Sequence, residues 1–130
     1  MIGIVIVAHG GLATAYLSAM EHVIGISPGI VAISIYPTDK ISEKGDQISK
    51  AVLLVDDGDG VIVVTDMHGS TPANLALKAC KGHNREVLFG ANLPLLLKLV
   101  KVRNLSFDKA INLALNAGRK YINCAGPQFL

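Results

Sequence analysis

Strand-length runs of valine and isoleucine alternate with helix-length amphipathic segments from the first residues onward, and this alternation constrains the fold more than any other feature. The runs are Ile2 to Ala8, Ile30 to Ile35, Gly60 to Thr65 and Glu86 to Gly90. Each is too short for a helix, and three of the four lack polar alternation, the pattern of parallel strands covered on both faces. Between the first two, Leu12, Ala15, Tyr16, Ala19, Met20 and Val23 recur at helical spacing and predict an amphipathic helix over Leu12 to Ile24. A second helix is expected over Lys40 to Leu54, with Ile41, Ile48, Val52 and Leu53 on its buried side, followed by a turn at Asp56-Asp57-Gly58-Asp59-Gly60. A third is expected over Pro72 to Lys81, with Thr71 as its N-cap and proline at its first position. Leu93 to Val102 and Phe107 to Cys124 complete the set, the last presenting Ala110, Ile111, Leu113, Ala114, Ala117, Tyr121 and Ile122 on one side, with Asp108 in its opening turn. The expected fold is α/β: a single-domain open, mainly parallel β-sheet with helices on both faces and right-handed crossovers.

Composition narrows the function classes. The 130 residues make one domain, and 51% hydrophobic against 17% charged residues excludes disorder and hints at apolar surface covered by another subunit. A formal charge of +2, short basic clusters such as Lys98, Lys101 and Arg103, and no tryptophan argue against nucleic-acid binding. Cys80 and Cys124 show neither CxxC nor Cys/His ligand spacing, so no disulfide scaffold or zinc site is expected and a reducing cytoplasm fits. The apolar N-terminal run lacks a cationic lead and meets His9-Gly10-Gly11 well short of the roughly 18 residues of a membrane span.

Parallel sheets bind ligands beyond the carboxyl ends of their strands, at a switch in strand order. Two of these ends hold reactive groups: His9 after the first run and Asp66 after the third, with His68-Gly69-Ser70-Thr71 leading into the third helix. If the two strands are neighbours, the Asp66 carboxylate can fix the His9 tautomer and leave the other ring nitrogen as a nucleophile. Backbone amides of Gly69, Ser70 and Thr71 at a helix N-terminus would receive a dianionic phosphoryl group. The inferred chemistry is phosphoryl transfer through His9. His68 either donates to the phosphate or is simply exposed, and His22 and His83 read as surface residues. No metal and no cofactor is expected: GxxxxGK[ST], GxGxxG after the first strand and HExxH are missing, and a site of His9, Asp66 and His68 lacks a fourth ligand.

Three segments, Gly3-Ile4-Val5-Ile6-Val7-Ala8-His9-Gly10, Val63-Val64-Thr65-Asp66-Met67-His68-Gly69-Ser70-Thr71-Pro72-Ala73-Asn74 and Gly90-Ala91-Asn92-Leu93-Pro94-Leu95-Leu96, together resemble the mannose-type enzyme IIA family of the sugar phosphotransferase system. The resemblance spans the chain, 1–130, as one IIA domain. It implies a phosphohistidine carrier that accepts phosphate from the phosphocarrier protein HPr and passes it to a IIB component, in the cytoplasm and at most peripheral to a membrane permease. It further implies that His9 is the phosphorylated residue, that Asp66 is its paired carboxylate, that Gly10, His68, Asn92 and Pro94 border the site, and that the protein is a strand-exchanged homodimer. Family members often carry an aromatic residue in place of His68 and a Gly-Ser pair in place of Ser70-Thr71. Two alternatives stand beside the carrier: a regulatory module that binds according to its phosphorylation state, and the phosphoryl-donor subunit of a dihydroxyacetone kinase.

Overall fold

A strand whose side chains are apolar on both faces is stable only when both faces are covered. The computed structural model, which describes residues 1–126, meets this requirement with nine elements: β1 (Gly3–His9), α1 (Leu12–Ile24), β2 (Ile30–Ile35), α2 (Ile41–Val55), β3 (Val61–Thr65), α3 (Thr71–Ala79), β4 (Arg85–Leu88), α4 (Leu93–Val102) and α5 (Phe107–Lys120). The strands form one sheet in the order β2-β1-β3-β4, and all three pairings are parallel. The last four positions of the expected 1–130 domain lie outside the described residues.

Alternate residues of the central strand serve different layers. Ile4, Ile6 and Ala8 pack with Met20 of α1, Leu96 and Leu99 of α4 and Ala114 of α5. Val5 and Val7 face Ile48 and Val52 of α2 and Leu75 and Ala76 of α3. Residues Ile4 to Ala8 have no exposed surface. At about 1.5–3 kcal/mol for each fully buried large aliphatic side chain, β1 and its neighbour β3, whose Val61 to Val64 are equally buried, are the firmly held centre of the sheet. The rigid strand carries His9 at its carboxyl end.

The helix faces and ends depart from expectation in several places. On α1 the fully buried residues are Ala13 and Met20, while Leu12 and Val23 are exposed. Ile41 and Leu53 of α2 are exposed as well, and Ala51 and Val55 take the buried side with Ile48 and Val52. Helix α3 is capped by Ser70, not Thr71, and ends at Ala79. Helix α5 stops at Lys120 instead of Cys124, leaving Tyr121 and Ile122 exposed. The overrun at α5 has a physical cause: the apolar pattern continues to Tyr121 and Ile122, past the point where there is a layer to bury it.

Strand order reverses between β1 and β3, since β1 leads to β2 on one side and pairs with β3 on the other. The crevice beyond their carboxyl ends is where such a sheet accommodates a ligand.

Candidate functional site

The backbone at the end of β1 aims His9 at that crevice. Gly10 has φ 56°, a left-handed conformation that costs a glycine least, and its N–H donates to the Ile35 carbonyl at 2.9 Å. The chain therefore turns sharply from β1 into α1 and leaves His9 on the rim, half exposed.

Asp66, the first residue after β3, meets it there. One carboxylate oxygen, Oδ2, accepts the His9 backbone N–H at 3.0 Å and the ring Nδ1–H at 2.7 Å. A carboxylate can only accept, so Nδ1 carries the hydrogen and the neutral ring keeps its lone pair on Nε2. The Asp66 side chain is only 12% exposed, against 50% for His9. Its other oxygen, Oδ1, is buried without a partner, as is the Thr65 hydroxyl one residue earlier. Orphaned buried polar atoms cost stability and gather where a structure serves chemistry.

The loop that follows supplies donors. Gly69 adopts φ 79°. Ser70 Oγ donates to the Met67 carbonyl at 2.6 Å and accepts the Ala73 amide at 3.4 Å, so its hydroxyl is committed to starting α3. Among the described residues, the amides of Gly69 and Thr71 make no hydrogen bond within the protein, while the turn at His68-Gly69 brings the Ser70 amide back toward Met67. Thr71 lines the same groove as His9, a cleft of about 330 Å³ walled by Ile35, Tyr36, Leu75 and Lys44. The Lys44 ammonium lies 3.8 Å from Asp39 and 3.2 Å from the Gln47 amide oxygen.

The remaining expected site residues make contacts of their own. His68 is exposed, its ring centroid 4.6 Å from that of Phe89 with the planes tilted by 57°. The Asn92 side chain caps α4 by accepting the Leu95 amide at 3.0 Å and ties it to α5 by donating to the Gly118 carbonyl at 2.8 Å. Pro94 lines a separate groove of about 450 Å³ between α4 and α5 with Leu97, Lys98, Leu113 and Lys120. The structure thus brings together His9, Gly10, Asp66 and Thr71, and gives Asn92 and Pro94 work on the α4–α5 layer.

One site neighbour escaped the sequence. Tyr16 of α1 donates its hydroxyl to the Ala91 carbonyl at 3.0 Å, and the Ala91 amide donates to the Thr65 carbonyl at 3.0 Å. Burial, and secondarily the charge of Asp66, push the Tyr16 phenol above its ordinary value. In the sequence Tyr16 was one member of an apolar stripe; its hydroxyl was the signal that it needs a polar partner. Among the described residues, no three His, Cys, Asp or Glu side chains group closely enough to hold a metal ion.

Comparison with known proteins places this arrangement. No curated protein matches the chain. The solved structure of a phosphotransferase system component EIIA from Streptococcus agalactiae is 26% identical, covering 95% of this chain and 97% of that one with a TM-score of 0.85. A PTS IIA protein associated with the fucose utilization operon of Streptococcus pneumoniae is also 26% identical, covering 93% of this chain and 91% of that one at a TM-score of 0.79. A mannose/sorbose specific IIA subunit from Enterococcus faecalis, 20% identical, shares the fold at a TM-score of 0.83 over 96% of this chain and 95% of that one. The family model described as PTS system fructose IIA component matches residues 3–114, which takes in the strand order, His9, Asp66 and the capped α3, and the chain belongs to this EIIA-man family of phosphotransferase components.

Proposed function

We propose that the protein, as one IIA domain over residues 1–130, is a phosphoryl carrier that takes phosphate from phospho-HPr onto His9 and passes it to a IIB component. The observation that carries this reading is the 2.7 Å bond from His9 Nδ1–H to a mostly buried Asp66, which leaves Nε2 unprotonated at a half-exposed rim. The Nε2 lone pair forms the new N–P bond while the donor's phosphohistidine N–P bond breaks, its electron pair staying on the donor nitrogen. Nδ1 keeps its hydrogen throughout, and Asp66 offsets the positive charge that develops on the ring. The amides of Gly69 and Thr71 receive the transferring oxygens, with the positive end of α3 behind them. The reverse geometry hands the group to the acceptor.

Two further parts of the reading concern assembly and place. A homodimer is supported by the low charged fraction of 17% and by β4, an edge strand beside which a further strand can add. No helix among the described residues is long and apolar enough to cross a membrane.

Incubation with phosphoenolpyruvate, enzyme I and HPr, followed by intact-mass analysis, tests the proposal. The wild type should gain one acid-labile phosphoryl group and His9→Ala none. An adduct on His9→Ala, or none on the wild type, would overturn it.

A further inference from the structure

Next to the His9–Asp66 pair stand the orphaned Oδ1 of Asp66, the orphaned hydroxyl of Thr65, and the chain of bonds from Tyr16 through Ala91 to Thr65. They occupy one place. Thr65 ends β3, Asp66 follows it, Ala91 lies in the loop after β4, and Tyr16 projects from the second turn of α1. A carboxylate in water spreads its charge over both oxygens and their hydration shells. Here Oδ2 accepts two hydrogens from His9 while Oδ1 accepts nothing. A carboxylate denied solvent on one oxygen is the stronger acceptor at the other, because the low local dielectric leaves its charge unscreened.

The burial of Oδ1 has to be maintained by the structure around it, since an unpaired buried oxygen draws in water whenever the surrounding loops part. The loop at Gly90-Ala91 is fixed to β3 through a backbone bond at 3.0 Å and to α1 through the Tyr16 hydroxyl at 3.0 Å. Tyr16 is close enough to Asp66 for the carboxylate charge to act on its phenol. The hydroxyl bond crosses from α1 to this loop by way of a side chain, and a single atom change can remove it.

We propose that Tyr16 is a positioning residue for phosphoryl transfer: by bonding the Ala91 carbonyl it clamps the β4–α4 loop over the inner oxygen of Asp66, which keeps the carboxylate's hold on His9 Nδ1–H undiluted by water. Tyr16 touches neither phosphate nor His9 and acts through Asp66. This inference rests on the carrier reading for its effect on rate, and stands apart from it in its effect on the His9–Asp66 bond.

Tyr16→Phe removes one oxygen and keeps the ring that packs in the core. In this variant the His9 Nδ1–H resonance should exchange with solvent at least tenfold faster than in the wild type at the same pH, with amide spectra otherwise superimposable. Transfer from phospho-HPr should slow about tenfold in its maximal rate, with the half-saturating HPr concentration unchanged. In an Asp66→Asn background, Tyr16→Phe should have no further effect on rate. Equal Nδ1–H exchange in the two proteins, or the same slowing with and without the Asp66 carboxylate, overturns the proposal. A wild type that takes no phosphate would sink the carrier reading alone, because the exchange measurement still decides whether Tyr16 guards the pair.

Discussion

At the scale of single residues, Asp66 is where the proposed transfer can be divided into binding and chemistry. It lies behind His9, and its contacts are with the imidazole and the backbone, so its loss should be felt after a partner has docked. Asp66→Asn, which keeps the shape but can no longer take the full charge of the ring, should lower the maximal transfer rate about 10²-fold or more while the half-saturating HPr concentration stays within a factor of two, as read by rapid quench. An unchanged rate would remove Asp66 from the mechanism. The two thiols make a second contrast. Burial pushes the Cys80 thiol up to about 11, whereas Cys124 is exposed. A thiolate is the reactive form, so at pH 8 iodoacetamide should modify Cys124 and leave Cys80 untouched in the folded protein, with one adduct by mass and two only in denaturant.

Among the elements, helix starts matter most, because α3 and α4 both begin beside the carboxyl edge of the sheet. Asn92 is the more consequential cap: it satisfies the Leu95 amide and grips the Gly118 carbonyl of α5 at once. Asn92→Ala should cost about 1–2 kcal/mol in urea unfolding, and Asn92→Asp, which restores the cap but not the donor to Gly118, should recover only part of it. Both variants should still take phosphate on His9, since the Asn92 side chain faces α5. A full recovery by aspartate would show that the tie to α5 contributes nothing. The elements were also the most legible level of the sequence. Ile30 to Ile35 and Leu93 to Val102 are bounded in the fold as their apolar runs are bounded in the chain. The third helix start was misplaced by one residue because Pro72 fits either of the first two helical positions, and only the bond from the Ala73 amide to Ser70 distinguishes them. The pairing of His9 with Asp66 was legible because both stand at strand ends, where side-chain direction is dictated by the sheet. Tyr16 was not, because its role depends on a loop 75 residues away whose position no local pattern encodes.

For the molecule as a whole, the opposite edge of the sheet is held by one buried cation. Arg103, 2% exposed at the end of α4, donates from Nε to the Ile2 carbonyl at 2.8 Å, from Nη1 to the Pro28 carbonyl at 2.6 Å and the Ser27 hydroxyl at 3.1 Å, and from Nη2 to the Gly29 carbonyl at 3.0 Å. It thereby reinforces, through one side chain, the junction of the entry of β1, the α1–β2 loop and the α4–α5 connection, where the Ile4 amide also donates to the Gly29 carbonyl at 3.0 Å and the Ile2 amide to the Arg103 carbonyl at 2.9 Å. Arg103→Ala takes the guanidinium donors from the Ile2 and Pro28 carbonyls, while Gly29 keeps the Ile4 amide, and should cost about 3 kcal/mol or more in denaturant unfolding. Arg103→Lys, with a single point of donation in place of a planar fork, should recover less than half. Since the residue lies at the far end of the strands from His9, phosphate uptake by the folded fraction should be unchanged; a specific loss of uptake would mean that the two edges communicate.

The oxygen of Asp66 that takes both the main-chain and the ring hydrogen of His9 leaves the nucleophile oriented before any partner arrives. A phosphoryl carrier of the kind we propose, built in this way, need not rearrange for each customer. Its throughput is then a matter of traffic, set by how often charged carriers arrive and how soon they leave, so the cell can tune flux through it by changing the supply of those carriers.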